Sequence, residues 1–66
     1  MVAFEVIDMT TSRCAGAVTR ALKAVDHAAL VHVDLATFTV EIEPASATAR
    51  QLSDAIKRAG YSPVAA

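Results

Sequence analysis

The sequence predicts an α+β fold in two layers: a four-stranded antiparallel sheet with two helices on one face, in the order βαββαβ. Three observations carry that expectation. Three segments alternate apolar and polar residues with a period of two, and two others repeat apolar residues at spacings of three and four. The two kinds interleave, and a short apolar tail closes the chain. With 66 residues the chain is read as one small domain, 1–66, near the size at which a single core is marginal without staples. Its 55% apolar content is rich enough to build that core with no metal required for folding.

The first strand is read from Val2 to Asp8, with Val2, Phe4 and Val6 on one side and Ala3, Glu5 and Ile7 on the other. Met9-Thr10-Thr11-Ser12 breaks the alternation, and Thr11 or Ser12 supplies a helix N-cap. From Arg13 the period changes. Cys14, Val18, Ala21, Leu22 and Val25 form an apolar stripe, with Arg20 and Lys23 opposite it, and Asp26-His27 ends the run. Gly16 weakens this helix by about 1 kcal/mol relative to Ala.

Two strands follow as an antiparallel hairpin. Val31, Val33 and Leu35 alternate with Leu30, His32 and Asp34; after a short Ala36-Thr37 turn, Phe38, Val40 and Ile42 alternate with Thr39, Glu41 and Glu43. Pro44 closes the second of them. Thr48-x-x-Gln51 has the form of a capping box, with Ser46 as an alternative cap. Leu52, Ala55, Ile56 and Ala59 make the second helical stripe, and Gly60 suits the position just beyond its end. Tyr61 to Ala66 forms a short final strand, which Pro63 assigns to a sheet edge. Two strand–helix–strand units in so short a chain define the ferredoxin-like arrangement.

Charge is segregated along this order. Arg13, Arg20, Lys23, Arg50, Lys57 and Arg58, all the basic residues, fall in the helical segments. Glu5, Asp8, Asp34, Glu41 and Glu43 fall in or beside the strands, with Asp26 and Asp54 as exceptions. A solvated surface accounts for this; a basic face that docks an acidic partner protein is the sharper reading. The net charge of −1 argues against nucleic acid as the main partner. No apolar stretch approaches the roughly 20 residues of a membrane span. The one cysteine cannot form an internal disulfide, and no signal-like segment opens the chain, so a cytoplasmic location is expected. Neither a Ser/His/Asp or Cys/His arrangement nor a phosphate loop is visible, and no enzymatic activity is expected.

Phe4-x-Val6 leading into Met9-Thr10, Ala17-Val18-x-x-Ala21-Leu22, Val31-x-Val33-Asp34-Leu35, Val40-x-Ile42 and Leu52-x-x-Ala55-Ile56-x-x-Ala59-Gly60-Tyr61 together resemble the heavy-metal-associated domain. That family includes small copper chaperones and the N-terminal modules of P-type metal ATPases, and the resemblance spans essentially the whole chain. The family's signature is Met-x-Cys-x-x-Cys, whose two thiolates bind Cu(I) or another soft ion, because soft sulfur donors select such ions. Met9 and Cys14 match; Thr11 stands where the first cysteine belongs.

The resemblance implies that Cys14 is the metal ligand, with Met9, Thr11, Ser12 and Tyr61 as its loop neighbours. Met9 is expected to point into the core and Tyr61 to border the loop. A thiol in the first helical turn, beside Arg13, is expected to have a pKa below the free value of about 8.5. His27 lies at the far end of the first helix, about 20 Å away, and His32 on the outer sheet face, so neither completes the site. A second thiolate comes only from a second molecule, as a homodimer facing Cys14 with Cys14. The leading expectation is therefore a copper-chaperone-like protein with weakened or dimer-shared Cu(I) binding through Cys14, partnered by a P-type metal ATPase or other metal-handling protein. The alternatives are a protein-interaction module that has lost metal transfer, and a redox-responsive thiol that dimerises through Cys14.

Overall fold

The computed structural model describes residues 1–66 and has the expected order: β1 (Val2–Val6), α1 (Ser12–Val25), β2 (Leu30–Asp34), β3 (Thr39–Glu43), α2 (Ala49–Arg58) and β4 (Pro63–Ala65). The strands form one antiparallel sheet in the order β2-β3-β1-β4. Each helix crosses back over the sheet before the chain enters the next strand, and both lie on the same side. No helix is long and apolar enough to cross a membrane.

Alternation decides which sheet face is covered. Phe4 and Val6 of β1 and Val40 and Ile42 of β3 are buried, and their neighbours Glu5, Glu41 and Glu43 are exposed. Val18 and Leu22 of α1 and Leu52, Ala55 and Ile56 of α2 close over them, with Met9 and Ala29 completing the core. Leu52 and Ile56 are wholly buried, so truncating either to Ala costs about 2–5 kcal/mol. The capping box is at Thr48: its hydroxyl accepts from Gln51 N–H, and the Gln51 side chain accepts from Thr48 N–H. Pro63 lies in the edge strand β4, as expected.

Three local expectations fail, each for a tertiary reason. β1 stops at Val6, because Met9 N–H turns back to Val6 C=O at 3.1 Å; Ile7 and Asp8 form the turn, and Ile7 is exposed. Leu35 and Phe38 are turn residues and not part of β2 and β3. The hairpin pairs Asp34 with Thr39, so four residues must connect the strands, and Phe38 takes a left-handed φ of 55°. An Asp34 carboxylate oxygen accepts from Ala36 N–H at 2.9 Å, and Phe38 C=O accepts from Val6 N–H at 2.7 Å. Val25 does not join the core stripe; it lies in the last turn of α1, is 40% exposed and lines a groove between the helices.

Asp26 carries a role that its position as an apparent charge exception did not suggest. It is 2% exposed, and one carboxylate oxygen accepts from the N–H groups of Ala45, Ser46 and Ala47 at 2.8, 2.9 and 3.0 Å. Its other oxygen accepts from the Ser46 hydroxyl at 3.4 Å. These bonds hold the carboxyl below the usual carboxylate range, the Ser46 and Ala47 amides contributing most. The C-cap residue of α1 thus anchors the loop that leads into α2.

Candidate functional site

The loop between β1 and α1 is set from both ends. On its β1 side the turn at Ile7-Asp8 drives Met9 into the core, where it is wholly buried. On its helix side Thr11 has an extended backbone, with φ −132° and ψ 164°, and is the N-cap of α1. Its hydroxyl accepts from Cys14 N–H at 3.3 Å and also donates to Cys14 Sγ at 3.3 Å. One hydroxyl can do both, since it has one proton and two lone pairs. Ser12 is the first helical residue and is exposed. Cys14 follows in the first turn, half-buried, with its sulfur at the rim of the core.

The second wall of the site comes from the far end of the chain. α2 ends at Ala59, and Gly60 takes φ 97°. Gly60 N–H then bonds to Lys57 C=O at 3.0 Å and Tyr61 N–H to Ile56 C=O at 3.2 Å. This is the Schellman pattern, which needs a left-handed residue just past the helix and which glycine adopts without strain. It turns the chain so that the Tyr61 phenol stands beside the Cys14 sulfur, where each shifts the pKa of the other. An Asp8 carboxylate oxygen accepts from Ser62 N–H at 3.2 Å and ties the two loops together.

These contacts set the electrostatics. The Cys14 pKa falls from 9.0 to about 7. The Thr11 hydroxyl contributes most, then the Tyr61 hydroxyl, with the backbone N–H groups of the loop adding to them against a partial desolvation that raises it. The direction is the one expected from the helix start. The principal cause differs: it is the Thr11 side chain, where Arg13 had been expected to contribute. The Tyr61 phenol responds in the opposite sense and is raised above its ordinary 10.0, first by the Cys14 side chain and then by burial.

Near neutral pH this arrangement offers one partly ionised, half-exposed thiolate, chemically a soft ligand and a nucleophile. Its other neighbours are hard or occupied. The Thr11 oxygen is engaged with the sulfur, the Tyr61 phenol is a hard donor, and the Met9 thioether is buried. No three His, Cys, Asp or Glu side chains come together as a metal-holding group. Donors for a soft ion in one chain therefore stop at one sulfur. Asp8 and Gly60 are not among the residues expected at the site. A Gly at the helix end was the available signal for the turn that delivers Tyr61; nothing local marked the Asp8–Ser62 bond, which spans 54 positions.

The chain matches the model of the heavy-metal-associated domain over residues 3–62. Among solved structures it resembles a gold-binding protein, with 33% identity, a TM-score of 0.93 and 100% of both chains covered. It also resembles the copper chaperone Atx1 from Synechocystis PCC6803 in a trimeric form, with 36% identity, a TM-score of 0.92, 97% of this chain and 100% of that one. The N-terminal domain of PacS from Synechocystis PCC6803 shares the fold at 24% identity and a TM-score of 0.84, covering 98% of this chain and 94% of that one. No curated protein sequence matches the chain.

Proposed function

The chain belongs to the heavy-metal-associated domain family, and we propose that it is a small copper-chaperone-like carrier that binds Cu(I) through Cys14 in a site shared by two copies. The observation that carries this reading is the Cys14 pKa of about 7 at the start of α1: the thiolate is available at neutral pH, and each chain has only one. Two copies that face Cys14 with Cys14 supply the two sulfurs that a soft ion prefers. The likeness to a copper chaperone and a gold-binding protein supports a soft metal ion as the cargo.

Transfer would proceed by ligand exchange. A partner's thiolate adds to the Cu(I) ion, a Cys14 thiolate leaves and takes up a proton, and the ion passes on. Cargo held by few ligands is open to such attack. A P-type metal ATPase or another metal-handling protein is the partner this chemistry suits, and the cytoplasm, where thiols stay reduced, is the compartment. The chain is proposed to act as a binding and transfer protein with no catalytic step.

Titration with Cu(I) against a competing chelator, with the mass followed by light scattering, tests the reading. One metal ion per two chains, with dimerisation that Cys14→Ala abolishes, is the expected result. Binding no stronger than that of Cys14→Ala would overturn it and leave an interaction module on the same scaffold. The near-neutral thiol also supports a second reading, a redox-responsive cysteine. A diamide-induced, reductant-reversible dimer that depends on Cys14, in a protein that binds no metal, would favour that reading.

A further inference from the structure

The two faces of this molecule are charged with opposite sign, and each has apolar relief. Between α1 and α2 an open groove of about 280 Å³ is lined by Ala21, Ala24, Val25, Ala55, Arg58 and Ala59. All six Lys and Arg residues lie exposed on these two helices, against one acidic residue, Asp54. The uncovered sheet face is the reverse. Glu5, Asp34, Glu41 and Glu43 are exposed there with no Lys or Arg among them and with His32 opposite Glu41; Leu30 is opposite Glu43 and Val64 opposite Glu5, on the two outer strands β2 and β4. Leu30 and Val64 are 64% and 59% exposed and give this face its apolar side chains.

We propose that copies of this chain associate head to tail, with the α1–α2 groove of one copy seated on the outer sheet face of the next. Charge complementarity selects the second copy as the occupant: the acidic face with projecting apolar side chains that suits a basic rim around an alanine-lined groove is present on the same molecule. Leu30 of one copy enters the groove, and the glutamates meet the lysines and arginines beside it. The whole molecule spans only 27 × 19 × 16 Å, so either face offers a small contact area and each contact is weak. Because two different surfaces meet, the association is heterologous and can continue beyond two copies. The Cys14 loop lies at the end of the two layers, on neither face, so this contact is independent of a Cys14–Cys14 dimer.

Sedimentation velocity on the reduced, metal-free Cys14→Ser chain tests the proposal without involving the thiol. From about 10 µM to about 1 mM protein, in about 20 mM salt, the average mass rises with concentration past that of two copies, and in about 500 mM salt it returns to that of one chain. The exposed-site variants Ala24→Glu and Glu41→Lys each lose at least about tenfold in association constant while keeping wild-type circular dichroism. Mixing the two variants restores association, since each retains one intact face. A single-chain mass throughout, a mass that stops at two copies, or association that neither variant weakens would overturn the proposal. None of these results bears on Cu(I) binding at Cys14, whose failure would show only in the metal titration.

Discussion

Thr11 and Cys14 are joined twice: the Thr11 hydroxyl accepts from Cys14 N–H and donates to Cys14 Sγ, each at 3.3 Å. Thr11 supplies no sulfur, yet it caps α1 and stabilises the thiolate. The loop carries a single thiol with a pKa near 7.

Replacing Thr11 tests both of its roles. In Thr11→Ala the Cys14 pKa rises from about 7 toward 9.0, and helix capping is lost at a cost of about 1 kcal/mol. Thr11→Ser retains both. The pH dependence of alkylation by iodoacetamide reads the pKa, and urea unfolding reads the cap. The wild-type thiol releases its proton at lower pH when folded than when unfolded. Stability therefore rises with pH between about 7 and 9, and Cys14→Ala loses that rise.

Tyr61 is expected to report on Cys14 from the other side. Tyr61→Phe removes the second contributor to the lowered thiol pKa, so the midpoint of the alkylation profile moves up by less than in Thr11→Ala. Conversely, Cys14→Ala lowers the phenol pKa toward 10.0, as read by ultraviolet titration. Unchanged phenol titration in Cys14→Ala would show that the two side chains do not interact.

Gly60 links helix geometry to thiol chemistry. A Cβ at Gly60 meets no atom within 4 Å, so the penalty for Gly60→Ala arises from φ 97° alone, about 1–3 kcal/mol. Beyond the lower melting temperature, the variant is expected to loosen the turn that presents Tyr61 and so raise the Cys14 pKa. D-Ala at this position, introduced by chemical synthesis, keeps the conformation and should keep the pKa.

Asp26 makes stability depend on acid. Its folded pKa lies below the unfolded value, so its contribution is fully present above the unfolded pKa of about 3.9 and is lost as pH falls through the folded value. Asp26→Ala leaves the Ala45, Ser46 and Ala47 amides without their acceptor and is expected to lower the melting temperature by about 10 °C or more. Thermal melts from pH 2 to pH 7 (about the carboxylate range and above) should show that the wild-type advantage over this variant shrinks as the pH falls.

A second sulfur at position 11 tests the proposed shared site directly. In Thr11→Cys both thiolates come from one chain, so Cu(I) affinity is expected to rise by orders of magnitude and the stoichiometry to change from one ion per two chains to one per chain. Competition with a chelator measures both. A variant that still needed two chains per ion would show that the loop no longer holds its ends at ligand spacing.

The sequence by itself determined the layers of this protein. Periods of two and of three to four, with a cap at Thr48 and a glycine at Gly60, are local signals, and neighbouring residues express them wherever the chain goes. Cys14 as the one thiol at a helix start was equally legible, because Met9 to Cys14 are six consecutive positions. Tertiary structure alone decided what depends on residues far apart in the chain. Asp26 looked like a stray charge at a helix end until the fold brought to it the amides of Ala45 to Ala47, 19 to 21 positions away. Phe38 looked like a strand residue until pairing of Asp34 with Thr39 left it in the turn. The Tyr61 hydroxyl reached Cys14 only after α2 had packed beside α1 and Gly60 had turned the chain. Periodicity records which face a residue presents, but a hydrogen bond needs a partner at about 3 Å, and only the packed chain supplies one.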